Sequence, residues 1–171
     1  MVKPLTAERP PLCAAPCVWT CPKRPQLPQF DATYNQWDIG YAFFGGLTNW
    51  YPLNTTVAIQ GHSPVKLGSS KPYWCLAADA NVKVGSQWAG VADTPADPRY
   101  FVYQYIPPHQ SGAGPAGGNE VFADGSGTWC KFTTMHHFAQ WNGTLGVPLV
   151  YWYQDPSDFN AQLNALLPAA L

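Results

Sequence analysis

The cysteines are the residues of this sequence best suited to chemistry, and three of the five fall in the segment PPLCAAPCVWTCPKRP at positions 10–25. They stand four positions apart, at Cys13, Cys17 and Cys21. Such a set could bind zinc, form disulfides or exchange thiols. Pro16 and Pro22 interrupt any helix that would align the thiols, and zinc sites normally need a second pair of ligands. His136 is a weak candidate to complete a metal site, so we predict no metal and no cofactor.

Cys75 and Cys130 lie far from the first three, and each follows a tryptophan, in PYWCLA and TWCKF. Both fall in predicted strands, where they could face each other across the core and form a disulfide. The alternative is that each is a free buried thiol that packs as a small apolar side chain. Because the number of cysteines is odd, at least one thiol has no partner within the chain.

Groups for acid–base catalysis are few. The sequence has two glutamates, Glu8 and Glu120, and most of its aspartates stand in turn sequences. His136 and His137 are adjacent, so on a strand they point to opposite faces and only one can join a given site. The sequence lacks the serine-nucleophile, phosphate-loop and zinc-protease motifs. We therefore predict that the protein is not an enzyme.

Aromatic side chains are the remaining candidates for binding. Trp50 and Tyr51, with Tyr73 and Trp74, could form a platform, because flat rings stack on the apolar faces of sugars and also anchor protein interfaces. Alternate residues of a strand point inward, so about half of such rings belong to the core. Both glycan and protein partners fit this pattern.

The first 30 residues are expected to form an extended arm. They contain seven of the 18 prolines and show neither strand nor helix periodicity. Proline fixes φ and removes a backbone donor, which favours extended conformations. The arm is basic near its end, at Lys23 and Arg24, and Trp19 stands among its cysteines. We interpret Cys13, Cys17, Trp19, Cys21, Lys23 and Arg24 as contacts to a neighbouring surface.

Residues 31–171 are predicted to form one compact all-β domain, a single sandwich or barrel for which a jelly roll is one arrangement. Short runs rich in Val, Tyr, Phe, Trp and Thr alternate with turn residues, as strands of such folds do. The runs cover residues 41–44, 56–60, 71–78, 82–88, 99–106, 127–138 and 147–153. Bulky residues on both faces of the run at 99–106 indicate a strand covered on both sides.

Two further segments complete this domain. Residues 107–119, PPHQSGAGPAGGN, are predicted to be a glycine-rich loop. One short helix is expected over about 156–167, with Asp155 as N-cap and Pro156 in the first turn. Its apolar face would carry Phe159, Leu163, Leu166 and Leu167.

Composition restricts the partners. Only 11% of the residues are charged while 15% are aromatic, so the chain can bury a core and much of its surface suits protein contacts. A net charge of −1 gives no basis for nucleic-acid binding. The sequence shows no membrane span of 18 apolar residues and no apolar signal segment at its start.

The plan of a basic, proline-rich arm followed by a weakly charged β domain resembles, in outline, the cement, decoration and minor head or tail proteins of virus and phage particles. This resemblance implies a non-enzymatic structural protein that docks through its arm onto other subunits, as a homo-oligomer for which a trimer is one arrangement, in a virion or another extracellular assembly. One alternative is a glycan-binding β domain, secreted or on a phage tail. Another is a small β-barrel hydrolase that uses Asp31 or Asp38 with His136.

Overall fold

Most of the described chain forms short antiparallel strands, in keeping with its β-branched and aromatic runs. The computed structural model describes residues 29–31, 36–52, 57–66, 68–84, 87–88, 107–140 and 149–167. The strands are β1 (Gln29–Asp31), β2 (Gln36–Asp38), β3 (Tyr41–Phe43), β4 (Asn49–Trp50), β5 (Ile59–Gln60), β6 (Cys75–Asp79), β7 (Asn81–Val84), β8 (Gln87–Trp88), β9 (Gln110–Ser111), β10 (Gly114–Pro115), β11 (Gly117–Phe122), β12 (Gly127–Lys131), β13 (His136–Gln140) and β14 (Leu149–Trp152). Within these residues the fold is all-β with one short α-helix, α1 (Ala161–Leu166).

The strands form two four-stranded antiparallel sheets and three two-stranded ones. The first large sheet has the order β12-β11-β6-β3 and the second β13-β14-β7-β8, while β1-β2, β4-β5 and β9-β10 pair separately. Buried residues of both large sheets belong to one hydrophobic core cluster. The sheets follow each other directly along the chain where β6 ends at Asp79 and β7 begins at Asn81.

Turn chemistry sets the register of the hairpin that joins β11 to β12. Asp124 accepts a hydrogen bond from the Ser126 N–H at 2.8 Å, and Gly125 has a φ of 84°. Glycine adopts that left-handed conformation at no steric cost. The resulting register places Glu120 opposite Thr128 and Asn119 opposite Trp129, so this turn fixes the relative positions of these side chains.

Strand β14 lies at the centre of the core, and all four of its residues are buried. The Trp152 ring stacks on Phe44 with centroids 4.1 Å apart and meets Phe138 at 4.8 Å. Tyr151 points to the other face, where its ring lies 5.3 Å from that of Trp88. Because aromatic side chains pack against both faces of β14, its residues are all apolar and do not alternate with polar ones.

The predicted C-terminal helix is divided into two pieces. A 3₁₀ turn occupies Pro156–Asp158, where Asp155 accepts from the Ser157 N–H, and α1 then begins after its own N-cap, Asn160. Asn160 has extended backbone angles, which end the first piece before the second begins. Leu163 is buried in the core, and Phe159, Leu166 and Leu167 pack against it.

The glycine-rich segment is more ordered than a loop. It contains the β9–β10 hairpin, which turns at Gly112 with a φ of 61°, and residues 117–119 already belong to β11. Residues 1–28 of the predicted arm and the predicted strand at 99–106 lie outside the described residues, while the last two arm residues, Gln29 and Phe30, belong to β1. Nowhere in the described ranges does a helix reach the length and apolarity that a membrane crossing needs.

Candidate functional site

Two buried carboxylates lie on neighbouring strands of the first large sheet. Asp79 ends β6, and Glu120 lies in the middle of β11. Each is only 1% exposed, and burying a carboxylate is costly unless hydrogen bonds or protonation compensate for the lost water. The two side chains receive that compensation in different ways, and the difference identifies the candidate site.

Asp79 organises a group of polar side chains that reach the surface. Its Oδ2 accepts from the Asn119 backbone N–H at 2.7 Å and from the Asn119 side-chain amide at 3.0 Å. The same oxygen lies 3.0 Å from Nε2 of His109. The His109 ring also meets the Trp129 ring edge to face, with centroids 4.8 Å apart. We call Asp79, His109, Asn119 and Trp129 the polar cluster.

Three different segments position the exposed members of the polar cluster. His109 precedes β9, and its carbonyl accepts from the Ala116 N–H at 2.7 Å, which closes the β9–β10 hairpin. Asn119 of β11 lies directly opposite Trp129 of β12. Opposite residues of an antiparallel ladder share a face of the sheet. Trp129 is 44% exposed and the His109 side chain 24%, whereas the carboxylate beneath them is buried.

The hydrogen bonds indicate which atoms of the polar cluster donate and which accept. A carboxylate only accepts, so His109 Nε2 must carry a hydrogen and donate it to Asp79. In the neutral ring this leaves Nδ1 as an acceptor. The Asn119 amide nitrogen is likewise engaged by Asp79, which leaves its Oδ1 as an acceptor. Within the described part of the chain, neither of these two acceptors makes a hydrogen bond.

An apolar row adjoins the polar cluster on the same face of the sheet. Phe43 of β3 and Val121 of β11 both pair with Ala77 of β6, so their side chains lie on one face. Phe43 is 56% exposed and Val121 42%. We call Phe43, Ala77 and Val121 the apolar row.

Glu120 points to the core, where thiols surround it. Its Oε1 accepts from the Tyr153 backbone N–H at 2.6 Å, while its Oε2 has no hydrogen-bond partner within the described ranges. Burial raises the pKa of Glu120 to about 7, although the Tyr153 N–H and the neighbouring thiols of Cys75 and Cys130 act in the opposite direction. We call Cys75, Glu120 and Cys130 the thiol–carboxyl group.

No disulfide joins Cys75 to Cys130; of the two alternatives left open by the sequence, the structure has the second, in which both are free buried cysteines. They stand on β6 and β12, which are separated by β11 in one sheet, and so do not face each other across the core. A disulfide needs Cα atoms within about 7 Å, whereas strands two positions apart lie about 9–10 Å from each other. Burial and the adjacent Glu120 raise the pKa of Cys130 to about 12 and that of Cys75 still further. Both thiols are therefore poor nucleophiles.

The proposed aromatic platform is not a surface. Trp50 is fully buried, and its indole N–H donates to Ser63 Oγ at 3.0 Å. Trp74 is half-buried, and its N–H donates to Asp158 at 2.8 Å, which ties the C-terminal segment to the turn before β6. Tyr51 and Tyr73 are also only partly exposed. Trp50 and Trp74 are packing residues because their polar edges are already engaged.

The remaining predicted residues are not brought together. His136 is partly buried and packs against Phe138, and His137, its neighbour, is buried. Asp31 pairs with Gln36 and Asp38 with Gln29, at opposite ends of the β1–β2 hairpin. Among the described residues, no three His, Cys, Asp or Glu side chains are arranged to hold a metal ion.

The arm contacts lie outside the described residues. They are Cys13, Cys17, Trp19, Cys21, Lys23 and Arg24. Their assignment to a neighbouring surface, and the weak metal candidacy of the three cysteines, therefore stay predictions from the sequence.

Sequence reasoning missed the polar cluster. Asp79 resembles a turn residue after an apolar run, and its partners His109 and Asn119 stand 30 and 40 positions away. The sequence contained one indication of the polar cluster. His109 and Asn119 stand near the two ends of the glycine-rich segment, and Trp129 directly precedes Cys130. Only the pairing of β11 with β6 and β12 brings these residues together.

No protein-family model matches this chain, and the comparisons with curated proteins and with solved structures found no match either. The exposed sheet face and the chemistry of its side chains are therefore the features that bear on function.

Proposed function

We propose that this protein is a non-enzymatic structural component of a larger assembly and that copies of the chain associate through the apolar row. The observation that carries the proposal is the pair Phe43 and Val121, which are 56% and 42% exposed on either side of Ala77. Interface cores are rich in aromatic and aliphatic side chains and poor in charge. A continuous apolar row across three strands is suited to such a core.

Composition supports the same proposal. Only 11% of the residues are charged, which is well below the ~25% of ordinary soluble domains and suits a surface that other subunits cover. In this proposal the two large sheets, which share a core cluster, are the two layers of a sandwich. The setting is a virion, where the protein acts as a cement, decoration or minor head or tail protein, and the arm at 1–30 adds contacts to neighbouring subunits.

The test is the mass of the full chain in solution, measured by light scattering after size exclusion. We expect a homo-oligomer, and we expect the double variant F43S/V121S to be monomeric because it replaces both exposed apolar side chains of the row. V65S is the matched control, since Val65 is 47% exposed and lies outside the sheets. It should keep the wild-type mass. A monomeric wild type, or equal masses for wild type and F43S/V121S, would contradict the proposal.

A further inference from the structure

We propose that the polar cluster is a saccharide-binding site whose ligand is a β-linked, gluco-configured glycan chain. Trp129 would stack on a pyranose ring, while Asn119 and His109 would bind its hydroxyl groups. This site shares no residue with the apolar row that it adjoins, so the inference goes beyond the proposed function and does not depend on it.

The exposed polar atoms fit hydroxyl groups. Asn119 Oδ1 is left as an acceptor once its amide nitrogen donates to Asp79, and in the neutral ring so is His109 Nδ1 once Nε2 donates. A sugar hydroxyl donates one hydrogen bond and accepts others, so two neighbouring acceptors suit two adjacent hydroxyls. A ligand without donors would leave both acceptors unsatisfied.

The exposed tryptophan fits the other side of a sugar ring. In gluco-configured pyranoses every ring substituent is equatorial, so the axial C–H bonds give each ring two apolar faces. Trp129 is 44% exposed and offers a large flat surface next to the acceptors, because it pairs directly with Asn119. β-Linked chains of such sugars are flat ribbons, which suits the open face of a sheet.

The hydrogen bonds of Asp79 hold His109 and Asn119 in fixed orientations before any ligand binds. One buried carboxylate oxygen accepts both Asn119 groups and lies against His109, so it fixes the orientation of two exposed side chains. Folding alone would be served as well if apolar residues replaced the whole polar cluster, since a buried carboxylate is costly. Exposed side chains locked by a buried partner are what a binding site requires. Asp79 is accordingly a positioning residue and does not itself contact the ligand.

The experiment is calorimetric titration of the full chain with cellohexaose and with chitohexaose. We expect wild type to bind at least one of them, and W129A and N119A to bind it at least about tenfold more weakly. V65S is the control, because it removes an exposed apolar side chain that lies outside the sheets. It should bind within about twofold of wild type.

Separate measurements test whether the variants are folded and whether binding is specific. Amide NMR spectra of W129A establish that it is folded, and in wild type the Trp129 indole N–H signal should shift on titration. Failure of wild type to bind either oligosaccharide overturns the proposal, as does equal weakening by V65S and W129A, which would indicate unspecific apolar adhesion. A changed oligomer mass in W129A without saccharide binding would assign the cluster to a protein interface and would also overturn it. The F43S/V121S mass measurement fails or succeeds independently of these results.

Discussion

Asp79 and Glu120 are two equally buried carboxylates on adjacent strands, yet they face different surroundings. Asp79 lies against three polar groups and connects them to the exposed face. Glu120 has one backbone donor and two thiol neighbours, and it faces the core. The first carboxyl group is surrounded by hydrogen-bond donors, whereas burial raises the pKa of the second to about 7. Equal burial therefore does not mean equal function, and the partners of each carboxylate decide its role.

The largest expected effect is that of D79A. It removes the acceptor of the Asn119 N–H and both side-chain contacts, which leaves donors unpaired in a partly buried place. We expect the free energy of unfolding to fall by about 4 kcal/mol, measured by urea denaturation. D124A is the control, because Asp124 lies in the exposed turn after β11 and should cost far less. Similar losses in both variants would contradict the central role given to Asp79.

The next effect is a dependence of stability on pH that comes from Glu120. Its folded-state pKa is about 7 against an ordinary value of 4.5, so between these values the folded state binds more protons than the unfolded state. Stability is then fully present below pH 4.5 and declines as pH rises through 7, by about 3 kcal/mol in total. E120Q keeps an acceptor for the Tyr153 N–H but cannot ionise.

The test of this dependence is urea unfolding of wild type and E120Q from pH 4 to pH 9. The variant should show a flatter profile and exceed wild type in stability at the alkaline end. If the two profiles run parallel across the whole range, Glu120 does not titrate in the folded protein as described.

The smallest effect concerns thiol reactivity. In the variant C13S/C17S/C21S, only Cys75 and Cys130 can react with a disulfide reagent. Both are buried and both have a raised pKa, so at pH 8 we expect labelling no faster than global unfolding. Two thiols should appear once urea is added without reductant. Rapid native labelling, or no thiols after unfolding, would contradict the thiol–carboxyl group as described.

The fold was more predictable from sequence than the site. Runs such as 41–44 and 147–153 indicated β3 and β14, because β-branched and aromatic residues favour strands, and the Asp124-Gly125 pair indicated a turn. The helix was predicted as one piece because its apolar spacing continues through Asn160, where a second N-cap restarts it. Strand order carries no such local signal.

The polar cluster depends on that strand order. Asp79 joins His109 and Asn119 only because β11 pairs with β6, and pairing over 40 positions leaves no periodicity in the sequence. The aromatic platform failed for a related reason, since burial of Trp50 depends on Phe138 and Trp152 from later strands. Residue type indicated capacity for binding, whereas tertiary contacts decided which rings remain exposed.

The most direct test of the contrast between the two carboxylates is saccharide binding by D79N and E120Q, compared at pH 7 with their stabilities. We predict that D79N binds at least about tenfold more weakly than wild type, because its neutral amide oxygen accepts more weakly than a carboxylate and holds His109 and Asn119 less firmly, while remaining folded. E120Q should bind as wild type does, although its stability changes with pH. Equal loss of binding in both variants, or wild-type binding by D79N, would contradict the assignment of Asp79 to the site and of Glu120 to the core.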